Sequence, residues 1–354
     1  MPVDFLIVGA GAIGLTTAQA LLQAGYSVTL VERGTAGQEA SWAGGGILSP
    51  LCPWDYRDAV TRLALRGMDM FGDAAALLHA TTGINPEYQR SGMLLLPPYS
   101  TELATQWCAR HELNLQQVSL GDYVHGQKEA GLLLKDVAQI RNPRLLCALR
   151  ARVEMLGGVI LEQHDVQKIE TAADRVVALH TARGKLVAGN YIVAAGAWSK
   201  VLLGEHALNI DIRPIRGQIL LFKFDTPPFS QILLKQDLYL IPRRDGHVLV
   251  GSTLEDAGFD KSTTTEARDQ LMKQVCGIFP AWQGLQPVRH WAGFRPGSPD
   301  NIPTIGRHPQ INNLFVNSGH FRYGVTMSLA SAELLLNEIE GEPQPLPVEE
   351  YRWQ

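Results

Sequence analysis

Six residues near the start of the chain, Gly9-Ala10-Gly11-Ala12-Ile13-Gly14, have the types and spacing to hold a phosphate. They follow a short apolar run at residues 3–8, and Leu15, Ala18, Leu21 and Leu22 then recur at helical spacing up to Gly25. A second apolar run, residues 27–31, ends at Glu32, 18 positions after Gly14. Strand, glycine turn, helix, strand and acid in this order make a dinucleotide-binding unit. Gly9 permits the tight turn, Gly11 lets the backbone approach a pyrophosphate, and Gly14 lets the helix lie close on the strand. The helix N-terminus adds N–H groups and a positive dipole end. Glu32 is placed to accept hydrogen bonds from ribose hydroxyls and would repel a 2′-phosphate, so NADP is disfavoured. The unit by itself does not separate FAD from NAD.

A second chemistry is carboxylate binding. Arg295 sits in Trp291-Ala292-Gly293-Phe294-Arg295-Pro296-Gly297, an otherwise nearly apolar segment. The planar fork of arginine makes two parallel hydrogen bonds to a carboxylate, and a buried charge needs such a partner. On residue type alone, a surface salt bridge explains Arg295 equally well. Tyr239 opens Tyr239-Leu240-Ile241-Pro242 and offers a hydroxyl donor, or packs as a strand tyrosine. Arg322 lies in Gly319-His320-Phe321-Arg322-Tyr323-Gly324, where it faces a ligand or braces the loop.

Elements must carry these groups. Glu39-Ala40-Ser41-Trp42-Ala43-Gly44-Gly45-Gly46 is a run of small residues that lets a backbone approach something flat, or a flexible loop. Asn142-Pro143 reads as a helix start with Asn as the cap, Leu145, Leu149, Val153 and Leu156 on one face, and Gly157-Gly158 as the stop. Strands are expected at residues 159–161, just before Asp165-Val166, and at 191–199, with Ala195, Gly196 and Trp198 in the closing turn. Residues 217–224, 238–242 and 247–252 read as further strands, the last two forming a hairpin across residues 243–246. Helices are expected over 262–278 and from Val325, the latter with Leu329, Leu336 and Ile339 on its apolar side.

Composition narrows the class. The chain has 354 residues, 45% hydrophobic and 19% charged, as in a soluble globular protein with a large core. The net charge of −4 and the lack of any basic block argue against nucleic acid. Cys52, Cys108, Cys147 and Cys276 are scattered without a CxxC pair, so neither a metal site nor a disulfide framework is expected, and a cytoplasmic, reducing setting fits. Residues 5–31 carry no charge, but four glycines and several polar residues make them a poor membrane span.

Taken together, the glycine unit, Ser41 to Leu48, Val193-Ala194-Ala195-Gly196-Ala197-Trp198-Ser199, Arg216-Gly217-Gln218, the Arg295 segment, Ile305-Gly306-Arg307-His308-Pro309 and the Gly319–Gly324 loop resemble the D-amino-acid oxidase and sarcosine oxidase superfamily, glycine oxidases in particular. The resemblance runs from residue 4 to residue 340. It implies an α/β fold: a Rossmann-like FAD-binding domain of the glutathione-reductase type over residues 1–85, 142–213 and 298–354. Residues 86–141 and 214–297 would form an α+β substrate domain whose antiparallel sheet covers the flavin. Non-covalent FAD is implied, since no cysteine follows Cys276. Arg33, Val166 and the Gly319–Val325 segment would join the glycine unit, the 41–46 loop and the 195–198 turn around the cofactor. Arg295 and Tyr239 would hold the substrate carboxylate, with Arg322, Ile47 and Leu254 nearby. The last two stand where the family carries methionine. No side-chain base is expected.

The activity implied is oxidation of glycine, sarcosine or a small D-amino acid by hydride transfer to the flavin, giving a 2-oxo acid, ammonia or an amine, and hydrogen peroxide. A place in thiazole synthesis for thiamine and a tetrameric or dimeric assembly would follow. Three other readings stay open: a dehydrogenase passing electrons to a quinone or carrier, a flavin-holding subunit of a larger complex, and an NAD-dependent dehydrogenase.

Overall fold

Residues in Val3–Val8 bury their side chains to alternate sides, Phe5 and Ile7 toward one core and Leu6 and Val8 toward another. A strand buried on both faces belongs in the middle of a parallel sheet. The computed structural model, which describes residues 3–354, puts it there. Val3–Val8 pairs in parallel with Val28–Val31 on one side and Ala188–Val193 on the other. Val159–Leu161 extends the sheet beyond Val28–Val31, and Leu314–Ser318 extends it beyond Ala188–Val193. Thr304–Arg307 closes that edge antiparallel.

Helices cover one face of this six-stranded sheet. Ala12–Gln23 packs against Gly324–Glu340 and Asn142–Met155, and the 25-residue helix Asp58–Thr82 lies on Gly324–Glu340. The opposite face carries a three-stranded antiparallel meander, Val166–Ala172, Arg175–Thr181 and Gly184–Leu186.

An eight-stranded sheet forms the second layer system. Its order is Arg289–Gly297, Arg213–Lys223, His247–Gly251, Leu238–Pro242, Ile232–Lys235, Met93–Leu95, Ala130–Leu134 and Leu115–Ser119. One correction applies: the sheet is mixed, because Ile232–Lys235 and Met93–Leu95 run parallel. Their connection is long enough to reverse direction, which a tight turn is not. Along Leu238–Pro242 the side chains alternate. Leu238 and Leu240 join the core under the helix Thr265–Cys276, and Tyr239 and Ile241 face the other way.

The expected elements stand with local shifts. The helix expected over 262–278 begins at Thr265, because Thr264 caps it by accepting from the Ala267 N–H. The strand expected at 191–199 stops at Val193. Asn142 is not a cap: it sits inside the first turn, and Arg141 precedes it without a side-chain bond. Its amide instead donates to the carbonyls of Ser41 (2.7 Å) and Gly44 (3.1 Å), two long-range partners that a local motif does not anticipate. The C-terminal helix buries Met327, Ala330, Leu334 and Leu335, while Leu329, Leu336 and Ile339 are only half-buried. Polar Thr326, Ser328 and Ser331 share its buried face, which lies between two helices and has no water-facing side there.

Candidate active site

Backbone geometry builds the phosphate end. Gly9 has φ +106°, and a Cβ there would lie 2.4 Å from the Ala194 carbonyl, so only glycine fits. Gly14 would put a Cβ 1.9 Å from the Gly9 carbonyl oxygen. Gly14 therefore sits behind the cavity wall, packing the helix on the turn, and does not line the site. The Ala12 N–H donates to the Ser41 hydroxyl (2.9 Å), so the small-residue loop caps the first helix. The Glu32 carboxylate accepts from the N–H groups of Ala10 (3.0 Å) and Gly34 (3.0 Å) at the mouth of the turn.

The small-residue loop rests on the eight-stranded sheet. Ala40–Ala43 is one helical turn, and the Ala43 carbonyl accepts from the Trp291 indole at 3.1 Å. Trp42 does not line the cavity: it packs edge-on against Trp291, with ring centres 5.8 Å apart. Beneath the glycines, Arg243 is buried. Its guanidinium donates to the carbonyls of Gly45 (2.6 Å) and Ile140 (3.0 Å) and to the Gln139 side chain (2.9 Å). Burial brings its pKa down to about 10, with Arg141 adding repulsion, and the three acceptors hold the charge. Arg243 and Asn142 thus clamp the loop from below. No local pattern announces this role for either residue.

Between the two sheets lies a cavity of about 430 Å³. Gly9, Gly11, Ala12, Ile13, Glu32, Arg33, Ser41, Ala43 through Ile47, Val166, Ala195, Gly196, Trp198 and residues 319–325 line it, with Arg295 and Tyr239 in the wall from the eight-stranded sheet. The chain positions expected to meet a cofactor therefore converge on one space, from segments hundreds of residues apart. That space has the volume of a small-molecule site, a glycine cradle at one end and, in its wall, the Arg295 guanidinium with no acidic partner among the described residues and the unpartnered Nε2 of His320. FAD fits these residues.

Arg295 is the decisive side chain at the inner end. Its Nη1 donates to the Thr253 carbonyl at 3.1 Å, and Nη2 to the Ser252 hydroxyl. No carboxylate pairs with it among the described residues. Desolvation pulls its pKa below the ordinary arginine range, and Arg322 adds repulsion. The neighbouring Tyr239 hydroxyl opposes the shift. The guanidinium lies over Gly217, where a Cβ would be 2.1 Å from Nη1. Gly217 is a functional position that residue type does not reveal, although it falls in the Arg216-Gly217-Gln218 motif. Arg216 itself is engaged elsewhere, paired with Glu255 (2.6 Å) and Asp260 (2.9 Å).

The remaining candidates divide. Ile47 lines the cavity, and its carbonyl accepts from Thr326 at 3.1 Å. Arg322 lines it too, and its nearest acid is the exposed Asp237 at 3.2 Å. Tyr323 bonds through its hydroxyl to that of Tyr56. His320 is 1% exposed, its Nε2 has no partner, and burial alone takes its pKa down to about 3, so the ring is neutral. Leu254 is a correction: it is 52% exposed and outside the cavity, because the chain leaves the sheet at Gly251 and turns outward. Ser252 and Thr253, just before it, hold Arg295 instead.

A family model for FAD dependent oxidoreductases of the DAO type matches residues 4–337. The chain belongs to that family. Among its relatives, a glycine oxidase from Pseudomonas aeruginosa is 41% identical over 95% of this chain and 94% of its own length. A bifunctional ThiO/ThiG protein from Synechocystis sp. is 31% identical over 94% of this chain, which spans 51% of that longer protein. The crystal structure of glycine oxidase from Geobacillus kaustophilus superposes with a TM-score of 0.91 at 22% identity, covering 100% of this chain and 98% of that one, and so shares the fold. The family member described here is an FAD-dependent amino acid oxidase.

Proposed function

We propose that the protein oxidises the carbon–nitrogen bond of a small amino acid, glycine first and then sarcosine or a small D-amino acid, with oxygen as the electron acceptor. One observation carries the reading: the Arg295 guanidinium, desolvated in the cavity wall beside the Tyr239 hydroxyl, has no acidic partner among the described residues. A charge in that position favours an anionic ligand. The curated glycine oxidase relative supports glycine as that ligand.

The division of labour follows from the residues. Arg295 and Tyr239 bind the substrate carboxylate and so orient the Cα–H bond. Ile47 and Ile219 in the wall exclude water from the reacting end. Bound FAD, held by the Gly9–Gly14 turn, Glu32 and the Ser41–Gly46 loop, supplies the hydride acceptor. No side-chain base is required when the substrate amine enters neutral, so positioning does most of the catalysis. With water hydrolysing the imine, the products are a 2-oxo acid (glyoxylate from glycine), ammonia or, from sarcosine, an amine, and hydrogen peroxide.

The same reading divides the chain into an FAD-binding domain, residues 1–85, 142–213 and 298–354, and a substrate domain, residues 86–141 and 214–297. A cytoplasmic homo-oligomer and a role in thiamine synthesis accompany it, the latter supported by the ThiO/ThiG relative. The test is the visible spectrum of the purified protein before and after anaerobic glycine. Bleaching of the flavin bands, then recovery in air with stoichiometric peroxide, is the expected result. Bands that survive glycine, sarcosine, D-alanine and D-proline overturn the substrate class. Bleaching without peroxide on aeration overturns oxygen in favour of another acceptor.

A further inference from the structure

Between the strand His247–Gly251 and the helix Thr265–Cys276 the chain makes an irregular crossing, residues 252–264. Phe259 in this crossing is 43% exposed, yet its ring is engaged. It stacks on Trp198 with ring centres 5.2 Å apart and planes 21° from parallel. It also meets Phe294 edge-on at 5.8 Å. Trp198 carries the Arg33 guanidinium as well, 3.5 Å from its ring centre. Two residues further on, the Lys261 ammonium donates to Glu39 at 2.7 Å, and Glu39 also accepts from Arg33 at 3.3 Å.

The root of the crossing is fixed differently. Buried Arg216 pairs with Glu255 and Asp260, and Gln218 and Thr253 also donate to Glu255. A segment anchored on the eight-stranded sheet thus reaches across to Arg33, Glu39 and Trp198, which belong to the nucleotide-binding side. All three line the cavity, whereas Phe259 and Lys261 do not. Arg33 directly follows Glu32, the acid placed for a ribose. Arg216 also reaches the Ser262 carbonyl at 3.3 Å, so the crossing is pinned on both sides of Lys261, and Phe259 and Lys261 add two exposed, individually weak contacts that brace Trp198 and Glu39 from outside.

We propose that residues 255–262 are a strap over the nucleotide end of the cavity. Phe259 and Lys261 are positioning residues that slow FAD release by acting through Trp198 and Glu39. The proposal rests on FAD binding and is independent of the substrate. Its test follows the rise of free-flavin fluorescence after dilution of the holoenzyme, with no substrate present. Phe259→Ala is expected to release FAD about fivefold faster, the factor an aromatic pair supplies. Lys261→Glu, which sets two acids against each other, is expected to speed release about twofold at low salt, and the effect should fade as salt rises. Phe259→Trp is expected to restore slow release, which a merely structural role would not require. The proposal is overturned if both Phe259→Ala and Lys261→Glu release FAD at the wild-type rate. It is equally overturned if Phe259→Ala raises KM for glycine while release is unchanged, because the segment would then be a substrate lid.

Discussion

Gly217→Ala is the sharpest test of how this site works, because it adds one methyl group under Arg295 and removes no polar group. The new Cβ would lie 2.1 Å from Nη1 of Arg295 and 2.4 Å from Cζ, so the guanidinium must retreat about 1.3 Å to reach an ordinary 3.4 Å contact. It cannot retreat freely, since Nη1 is held by the Thr253 carbonyl and Nη2 by the Ser252 hydroxyl. A misplacement of roughly 1 Å costs about 100-fold in rate, or about 2.7 kcal/mol. The assay is anaerobic flavin reduction at graded glycine, which yields kcat/KM for the reductive step. Arg295→Ala, which removes the proposed anchor, should cost about 30- to several thousand-fold. If Gly217 acts only through Arg295, adding Gly217→Ala to Arg295→Ala should cost nothing further, the non-additivity expected of coupled sites. Activity of Gly217→Ala within about threefold of wild type would refute the geometry. Full additivity in the double variant would refute the coupling.

Further outcomes are expected elsewhere. Arg243→Met should lower stability by about 3 kcal/mol, read as the urea midpoint, because the carbonyls of Gly45 and Ile140 lose a buried donor. Gly67→Ala should lower the melting temperature at a cost of about 1–3 kcal/mol, since its Cβ would lie 1.9 Å from the Thr326 carbonyl where two helices meet. His320 supplies a pH dependence. Its folded pKa, near 3, lies below the unfolded value near 6.5, so the unfolded chain binds the extra proton between these values, and stability should fall as pH drops through that window. In His320→Asn the apoprotein melting temperature should fall less steeply between pH 6.5 and 4. Parallel curves would refute this.

Local chemistry determined a good part of this protein before any fold was built. Gly9, Gly11 and Gly14 with Glu32 specify a turn, a helix start and a strand end within one short stretch; the positive φ of Gly9 and the closeness of Gly14 to the Gly9 carbonyl are local, although the Ala194 carbonyl over Gly9 arrives from far along the chain. The apolar runs at 159–161 and 238–242 became strands with the same bounds for the same reason, since strand pattern depends on period and flanking turns. That an arginine suits a carboxylate also follows from side-chain chemistry alone, though residue type does not tell a ligand-facing arginine from one in a surface ion pair.

Tertiary structure decided the rest, because the deciding neighbours are far apart in the chain. Asn142 looks like a cap in its own sequence, and only the arrival of the Ser41–Gly44 backbone turns it into a clamp. Trp42 and Leu254 sit beside site residues yet face away, Trp42 toward Trp291 and Leu254 toward solvent. Side-chain direction at a loop depends on where the chain exits the sheet, which no periodicity encodes. The need for glycine at 217 exists only because Arg295 from the neighbouring strand lies across it. That the guanidinium faces the cavity with no carboxylate partner among the described residues, the arrangement on which its proposed ligand-binding role rests, is a property of the tertiary structure and of no single segment.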